Sequence, residues 1–311
     1  MQLIVILLAT VSVLTFLSGA IVFFGSSKSD RIRSTWYFAA AIFATVWMAS
    51  ISIFLSARPT DADTIGWHVI WTFVSAILID VAFLGYGAWK KKYGQAITLT
   101  FLLLGAIIGG LIMLKPDLLY TDIVLSNTGN SVVMNIGPLY VCYIAFFGLI
   151  VPVIIGVFAH QFFKTSSKRK RGGDIVTMAS FGISSTMVLI FNLILPLLNN
   201  WSLIWIGPLA LAMTIIAVYY TILRYRMLNL ASIWLRILSY VVIVASIAIV
   251  YMIIFSVIFA ALFRGSTPSL EVIILNFIMI LIFTSLMPAM NNIMASVKSF
   301  ISEDSHSKGK K

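Results

Sequence analysis

The amino-acid sequence predicts an all-α polytopic membrane protein with nine transmembrane helices, an N-terminus outside, a cytoplasmic C-terminus and a small extracytoplasmic hairpin between helices four and five. Three observations predict this fold class: the composition, the length of the apolar runs and the placement of the positive charges. Of the 311 residues, 61% are hydrophobic and 10% are charged, whereas about 25% of the residues of a soluble protein are charged. The composition therefore excludes a soluble globular protein.

Nine apolar runs are long enough to be transmembrane helices, because a helix needs roughly 20 residues to cross a hydrocarbon core of ~30 Å. The first run has no positive residues before it and is longer than the apolar stretch of a signal peptide, so we expect it to span the membrane. In chain order, the predicted spans are Leu3–Phe24, Trp36–Leu55, Trp67–Trp89, Ala96–Leu114, Pro138–Phe163, Ile175–Leu198, Trp201–Leu223, Ile237–Phe263 and Leu270–Met290.

The positive charges alternate between the two sides of these spans. Eighteen of the 21 lysines and arginines lie in the tail and in the connections after spans one, three, five and seven, and only Arg58, Lys115 and Arg264 lie on the opposite side. Because cytoplasmic connections are rich in Lys and Arg, the N-terminus is expected outside and the C-terminus in the cytoplasm. The net charge of +11 thus indicates orientation, and we expect no nucleic-acid partner.

The connections are too short to hold a soluble domain. The longest one, residues 116–137, has two apolar-rich stretches around Asn127–Asn130, which predicts a small hairpin over the outer helix ends. A single cysteine, Cys142, excludes an internal disulfide and a cysteine-built metal site. The sequence has no HExxH, GxSxG or P-loop motif, so we expect no enzyme activity, no metal and no cofactor.

Several segments of the chain follow the order of landmarks of a known family. They are WYFAAAIFATVWMASISIFLSARP and VAFLGYGAWKKKYG in spans two and three, NIGPLYVCYIAF after the hairpin, FNLILPLL in span six and AVYYTILRYRMLNL after span seven. In this order they resemble the N-terminal seven-transmembrane sensor region of bacterial histidine kinases. WLRILSYVVIVASIAIVYMIIF and LMPAMNNIMASVKSFISED are similar to the eighth span and the terminal linker of a nine-span branch of that family.

The resemblance implies a membrane-embedded sensor or receptor module of a bacterial two-component-like signal-transduction system, placed as a multi-pass protein in the inner (cytoplasmic) membrane. It implies a seven-helix membrane sensor domain over residues 1–230, two further transmembrane helices over 231–291 and a cytoplasmic polar tail over 292–311. No phosphoacceptor helix and no nucleotide-binding domain follow Met290. The module is therefore expected to lack a catalytic output domain, either as an orphan subunit or as a fragment of a longer kinase.

The partners implied by the resemblance are membrane lipid, an unknown small ligand or lipid-phase signal, and a separately encoded cytoplasmic kinase or other output protein, with a homodimer as a further option. Two other functions stay open. One is a small-solute transporter or channel, which solute flux in proteoliposomes would reveal. The other is a structural membrane subunit of a separately encoded enzyme, which co-purification would reveal.

Asp80 is the sole acidic residue well inside a predicted span. An ionised carboxylate near the bilayer centre costs roughly 3 kcal/mol on insertion scales, so Asp80 should face the bundle interior and be protonated or partnered. At about 100° per residue, Thr72, Ala76, Asp80 and Gly87 share one small or polar stripe of the third helix. Asp80 is either a sensing carboxyl for a ligand, an ion or a proton, or a protonated acid hydrogen-bonded to a neighbouring helix.

The outer end of the third helix carries Trp67, His68 and Trp71. An aromatic belt at the membrane interface explains the tryptophans without a ligand. The alternative is a shallow outer pocket built from these residues and the hairpin, because ligand sites favour aromatic walls with few polar groups.

Two prolines inside predicted helices are hinge candidates. Pro196 lies one turn after Asn192 in span six and removes the backbone bond to the carbonyl at 192. This pair is either a hinge whose angle changes with ligand or a static bend in which Asn192 fills the freed hydrogen-bonding capacity. The same two alternatives apply to Pro152 in span five.

Two further features concern packing and coupling. Gly105 and Gly109 form a GxxxG spacing that indicates close packing, within the bundle or in a dimer. The junction after span seven is either an anchor to anionic lipid or a segment that couples spans six and seven to spans eight and nine. Members of the family that the chain resembles usually have Asp at the position of Asn229. The candidate junction residues are Arg224, Tyr225, Arg226, Asn229 and Arg236.

Overall fold

The computed structural model describes residues 2–56, 62–89, 92–125, 132–165, 168–198, 200–201, 203–224 and residue 242. Within these residues, seven helices are long and apolar enough to cross a membrane, so the chain is a multi-pass membrane protein. The helices are α1 (Gln2–Gly25), α2 (Arg31–Ser56), α3 (Ala62–Ala88), α4 (Lys92–Leu114), α5 (Leu139–Lys164), α6 (Lys168–Val188) and α7 (Ile206–Arg224). Short 3-10 helices cover Lys28–Asp30 and Pro116–Leu118. Spans eight and nine and the polar tail stay predictions, since apart from residue 242 they lie outside the described residues.

Helix α6 does not end as a regular α-helix. A π-helical segment over Leu189–Ile194 follows it directly, and a short α-helical turn over Leu195–Leu197 completes the crossing. The N–H of Leu195 donates to the carbonyl of Ile190, which is the five-residue bond of a π-helix. The sixth span is thus continuous but wider in its last third.

Five helices begin four to seven residues away from the start of the predicted span; among them, α2, α3 and α4 each begin four or five residues earlier than predicted. Helix α6 begins at Lys168 and not at Ile175, because lysine and arginine are good helix formers and extend the helix out of the apolar run. Helix α7 begins at Ile206 and not at Trp201, since residues 203–205 form a turn. Pro208 lies in its first turn, where the missing N–H would have no helical partner in any case.

Helix α3 occupies the interior of the bundle and packs against α2, α4 and α5. Between Val69 and Ala88, every residue of α3 is buried except Trp71, Leu78 and Gly87. A helix that is apolar and buried on all sides belongs to the core. Helix α7 packs against α1, α2 and α6, and α5 packs against α6, so the side chains of α3 meet several neighbouring helices.

Glycines permit close contact between neighbouring helices. A Cβ atom at Gly85 of α3 would lie 2.3 Å from the Trp36 ring of α2. At the predicted GxxxG spacing, a Cβ at Gly105 would lie 2.7 Å from Ile77, and one at Gly109 would lie 3.8 Å from Val74. Gly105 and Gly109 therefore both face α3 of the same chain.

The predicted hairpin is present between α4 and α5. Strand β1 (Tyr120–Leu125) pairs antiparallel with strand β2 (Val132–Ile136). The N–H of Gly137 then donates to the Leu119 carbonyl at 2.8 Å, and a Cβ at this position would lie 2.3 Å from the Leu118 carbonyl oxygen. Only glycine allows the chain to approach this closely before α5 begins.

Because consecutive helices reverse direction, one end of the bundle holds the last turn of α7 and residues 26–33, 88–89, 92, 164–165 and 168–171. We call it the basic end. The connections at this end carry lysines and arginines that the charge pattern places in the cytoplasm. We call the opposite end, with β1, β2 and the connection before α7, the hairpin end. The assignment of the two ends to the two sides of the membrane stays a prediction.

Candidate functional site

Asp80 lies in the interior of the bundle, far from both ends of α3. Its side chain is 4% exposed, as expected for the sole acidic residue of the third span. Among the residues that the structure describes, none forms a hydrogen bond or an ion pair with its carboxyl group. The interior position matches both interpretations of Asp80, but the described helices do not supply the hydrogen bond that the second interpretation requires.

A small cavity adjoins the carboxyl group and is lined by residues of five helices. The cavity leaves about 10 Å³ for the centre of a water-sized sphere, which is about the space that one water molecule needs. Its lining consists of Trp47 from α2, Ala76 and Asp80 from α3, Phe147 and Val151 from α5, Ser185, Val188 and Leu189 from α6 and the π segment, and Leu211 from α7. We call this set the Asp80 cavity.

Three polar side chains contribute to the Asp80 cavity. Asp80 is joined by Trp47, which is 2% exposed, and by Ser185, which is 4% exposed. The indole N–H of Trp47 is buried and has no hydrogen-bond partner within the described part of the chain. A buried N–H without a partner costs free energy, so Trp47, like Asp80, has hydrogen-bonding capacity that the described residues leave unused.

The chemistry of the site follows from these donors and acceptors. An indole N–H only donates, a serine hydroxyl donates and accepts, and a neutral carboxyl group has one O–H donor and further acceptor capacity. Among the residues that the structure describes, no lysine, arginine or histidine lines the cavity. Since an ionised carboxylate without a cation is costly in this environment, the site suits a neutral acid and a small hydrogen-bonding molecule.

The wide part of the sixth span begins at the cavity. Leu189 lines the Asp80 cavity and is also the first residue of the π segment. Pro196, seven residues later, has no N–H to donate. The hydroxyl of Tyr140 in α5 lies 3.1 Å from the Asn192 carbonyl and 3.2 Å from the Leu193 carbonyl. Tyr140 thereby bonds the backbone oxygens that the irregular segment leaves available.

Asn192 has a different role from the one expected in a static bend. Its side chain does not fill the freed backbone capacity; its Nδ2 atom donates to the Ile204 carbonyl at 2.9 Å. This bond holds the turn before α7 against the π segment. A Cβ atom at Gly207 would lie 1.7 Å from the Asn192 Oδ1 atom, so glycine is required there. The hinge interpretation of Asn192 and Pro196 remains a prediction, as it does for Pro152, which is exposed in α5.

The outer aromatic residues form a separate group at the hairpin end. Trp67 is 57% exposed and Trp71 is 36% exposed, while a Cβ at Gly66 would lie 3.4 Å from the Tyr120 hydroxyl. Burial raises the pKa of Tyr120 above its usual value, so this hydroxyl stays neutral. The hairpin therefore reaches the first turns of α3, where both an aromatic belt and a shallow pocket stay open.

The structure does not bring this outer group to Asp80. His68 and Asp80 are twelve residues apart in α3, which is about 18 Å along a helix. Thr72 lies between them, and its hydroxyl donates to the His68 carbonyl at 2.8 Å. Of the stripe predicted on the third helix, Ala76 and Asp80 line the cavity.

At the basic end, a second polar cluster links α2, α3 and α6. The Arg33 guanidinium lies 4.3 Å above the centre of the Tyr86 ring. Asp174, which the sequence places just before the sixth span, is part of α6 and 6% exposed, and its Oδ2 atom accepts from Thr165 at 3.0 Å. Of the predicted junction, the backbone of Arg224 ends α7, while Tyr225, Arg226, Asn229 and Arg236 lie outside the described residues.

Sequence reasoning missed Trp47, Ser185, Tyr140 and Asp174. Trp47 and Tyr140 lie in segments that carry the family resemblance, but nothing distinguishes them there from the other aromatic residues, and Ser185 stands in an apolar run. Asp174 follows directly after a basic run and two glycines, a context that looks like a connection. Burial after folding, and not spacing, is what identifies these residues.

Comparison with known proteins gives a family match over most of the chain. A family model described as the N-terminal 7TM region of histidine kinase matches residues 6–231. No curated protein and no solved structure matches. The match covers all seven membrane-length helices that the structure describes and confirms the resemblance to the seven-transmembrane sensor region. The similarity of the later residues to a nine-span branch stays a prediction.

Proposed function

The chain belongs to the family of N-terminal 7TM regions of histidine kinase, and on this premise we propose that it is the sensor module of a bacterial two-component-like signalling system in the cytoplasmic membrane. In this proposal the module detects its signal inside the helix bundle, at the Asp80 cavity. It passes the change to a cytoplasmic kinase or other output protein, encoded separately or in the same chain.

One observation carries the proposal: residues of five of the seven described helices line a small cavity that contains Asp80. Residues of α2, α3, α5, α6 and α7 meet at the Asp80 cavity. A change in hydrogen bonding or charge at this point acts on all five helices at once, because closely packed interiors transmit small displacements. Ionisable residues inside a membrane mark functional sites by default.

The output path that we propose runs along the sixth and seventh spans. The π segment begins at the cavity with Leu189 and is held to the turn before α7 through Asn192 and Ile204. Helix α7 then leads to Arg224, where the predicted junction begins. A rotation or shift of α7 would move this junction and, through it, predicted spans eight and nine.

The cavity size favours a sensor over a transporter. Space for about one water molecule suits a site that responds to protonation or to a small hydrogen-bonding molecule. A solute carrier has to hold its substrate and alternate access to it.

The test is the response of the native host to Asp80→Asn, which preserves size and hydrogen bonding but removes the acid. RNA sequencing compares the wild type, a deletion strain, and strains carrying Asp80→Asn or the matched control Asp117→Asn, which changes an exposed acid in a connection. We expect the deletion and Asp80→Asn to alter an overlapping set of transcripts and the control to alter none. Normal transcripts in Asp80→Asn, at normal protein level, would remove Asp80 from the mechanism.

Two further measurements separate the alternative functions. Proteoliposomes that contain the full chain should release an entrapped mixture of small solutes no faster than empty liposomes. Solute-selective flux would instead show a transporter or channel. Co-purification of an enzyme whose activity depends on the chain, with unchanged transcripts in the deletion strain, would show a structural subunit.

A further inference from the structure

We infer that the Asp80 cavity is a binding site for one water molecule, which bridges the Asp80 carboxyl group, the Trp47 indole and the Ser185 hydroxyl. The inference takes the proposed sensory site as its premise and names the molecule that occupies it. It follows from the size of the site, from its hydrogen-bonding groups and from the environment around them.

The size of the site selects a very small molecule. About 10 Å³ is available to the centre of a water-sized sphere, which is the minimum for one buried water. The walls between the polar groups consist of apolar side chains from several helices, such as Ala76 of α3, Phe147 of α5 and Leu211 of α7. A larger solute would have to displace these side chains, which are packed between helices.

The hydrogen-bonding groups select a molecule that both accepts and donates. The Trp47 N–H is buried without a protein partner in the described residues and only donates, so the occupant must accept. The Asp80 and Ser185 groups on the same cavity can each donate or accept. Three partners of this kind are what a buried water typically has.

The same groups argue against an ion. The positive edge of the Trp47 indole N–H repels a cation and cannot act as its ligand, and no lysine or arginine among the described residues lines the cavity to balance the charge of an anion. A neutral acid with a bound water avoids the cost of an isolated charge in the bundle. The water also connects α2, α3 and α6 at the first residue of the π segment, a contact that the protein side chains do not make directly.

Nuclear magnetic resonance of the full chain in lipid nanodiscs tests this inference through the tryptophan indole signals. The protein has eight tryptophans, and the signal that disappears in Trp47→Phe identifies Trp47. Rotating-frame and laboratory-frame Overhauser spectra then distinguish a bound water near the indole proton from chemical exchange. We expect a bound-water cross-peak in the wild type and in Asp80→Asn, which keeps a donor and an acceptor.

The control variants separate a specific bridge from general hydration. Asp80→Leu removes the polar partner and should abolish the cross-peak, whereas Asp117→Leu makes the same exchange at an exposed position and should leave it unchanged. If Asp80→Leu does not fold, Ser185→Ala serves instead and should weaken the cross-peak at least twofold. An assigned Trp47 signal without any bound-water cross-peak in the wild type overturns the inference.

The outcome is independent of the signalling test. A Trp47 signal without bound water, together with altered transcripts in Asp80→Asn, would overturn the water site and leave the sensory role of Asp80 intact. A bound water together with normal transcripts in Asp80→Asn would instead overturn the sensory role and leave the water as a structural element.

Discussion

Replacing Tyr140 with phenylalanine removes one oxygen atom and tests how the irregular sixth span is stabilised. In the structure this hydroxyl bonds the carbonyls of Asn192 and Leu193 at 3.1 and 3.2 Å. The aromatic ring itself packs against Phe73, with ring centres 6.1 Å apart, and against Tyr143, at 5.9 Å. Phenylalanine keeps these ring contacts, so the substitution isolates the hydroxyl.

The expected cost follows from the burial of the groups that lose their partner. Asn192 and Tyr140 are buried, so water does not replace the hydroxyl at these carbonyls. Leaving a buried polar group unpaired costs about 1–3 kcal/mol. We therefore expect Tyr140→Phe to lower the free energy of unfolding by about 2 kcal/mol, within that range.

A double-mutant cycle with Pro196→Ala assigns this cost to the segment that the proline interrupts. Alanine at position 196 restores an N–H that can donate to the Asn192 carbonyl, four residues earlier. The Tyr140 hydroxyl then becomes partly redundant. Tyr140→Phe should cost less in the Pro196→Ala background than in the wild type, with a coupling of about 1 kcal/mol, as for residues that share a partner.

The assay is reversible unfolding in mixed micelles with increasing dodecyl sulfate, followed by far-ultraviolet circular dichroism. Tyr220→Phe, at a half-buried tyrosine in α7, serves as the matched control and should shift the free energy by less than about 0.5 kcal/mol. A cost of Tyr140→Phe equal to that of the control, or the same cost in both backgrounds, would refute the reasoning.

Two further predictions concern packing and orientation. Gly85→Ala would place a methyl group 2.3 Å from the Trp36 ring and should destabilise the protein by about 1–3 kcal/mol; Gly148→Ala, with nothing within 4 Å, should be nearly neutral in the same unfolding assay. Alkaline phosphatase fused after Ser26 or Lys92 should be inactive, and green fluorescent protein fused at the same positions should fluoresce, because both positions are predicted to be cytoplasmic. An active phosphatase at either position would contradict the predicted orientation.

The sequence predicts those features of the fold that depend on neighbouring residues of the chain alone. Hydropathy predicted each of the seven described helices, because a backbone in lipid must satisfy its own hydrogen bonds and cross a fixed thickness. The hairpin was also predictable, since Asn127–Asn130 interrupts two apolar stretches. The errors at the start of α6 and α7 lie outside the apolar core of those spans, where thickness no longer fixes the helix ends.

The chain alone determined that Asp80 must face the interior, since lipid penalises a carboxyl group. Only the tertiary structure decided that Trp47 and Ser185 share its cavity and that Tyr140 supports the π segment. In a soluble protein, polar residues on the outer face of a helix reveal its inner face. Lipid and protein interior are both apolar, so the hydrophobicity of a membrane helix hardly indicates which of its sides faces the other helices. The neighbours of each side chain are therefore decided only when the helices pack.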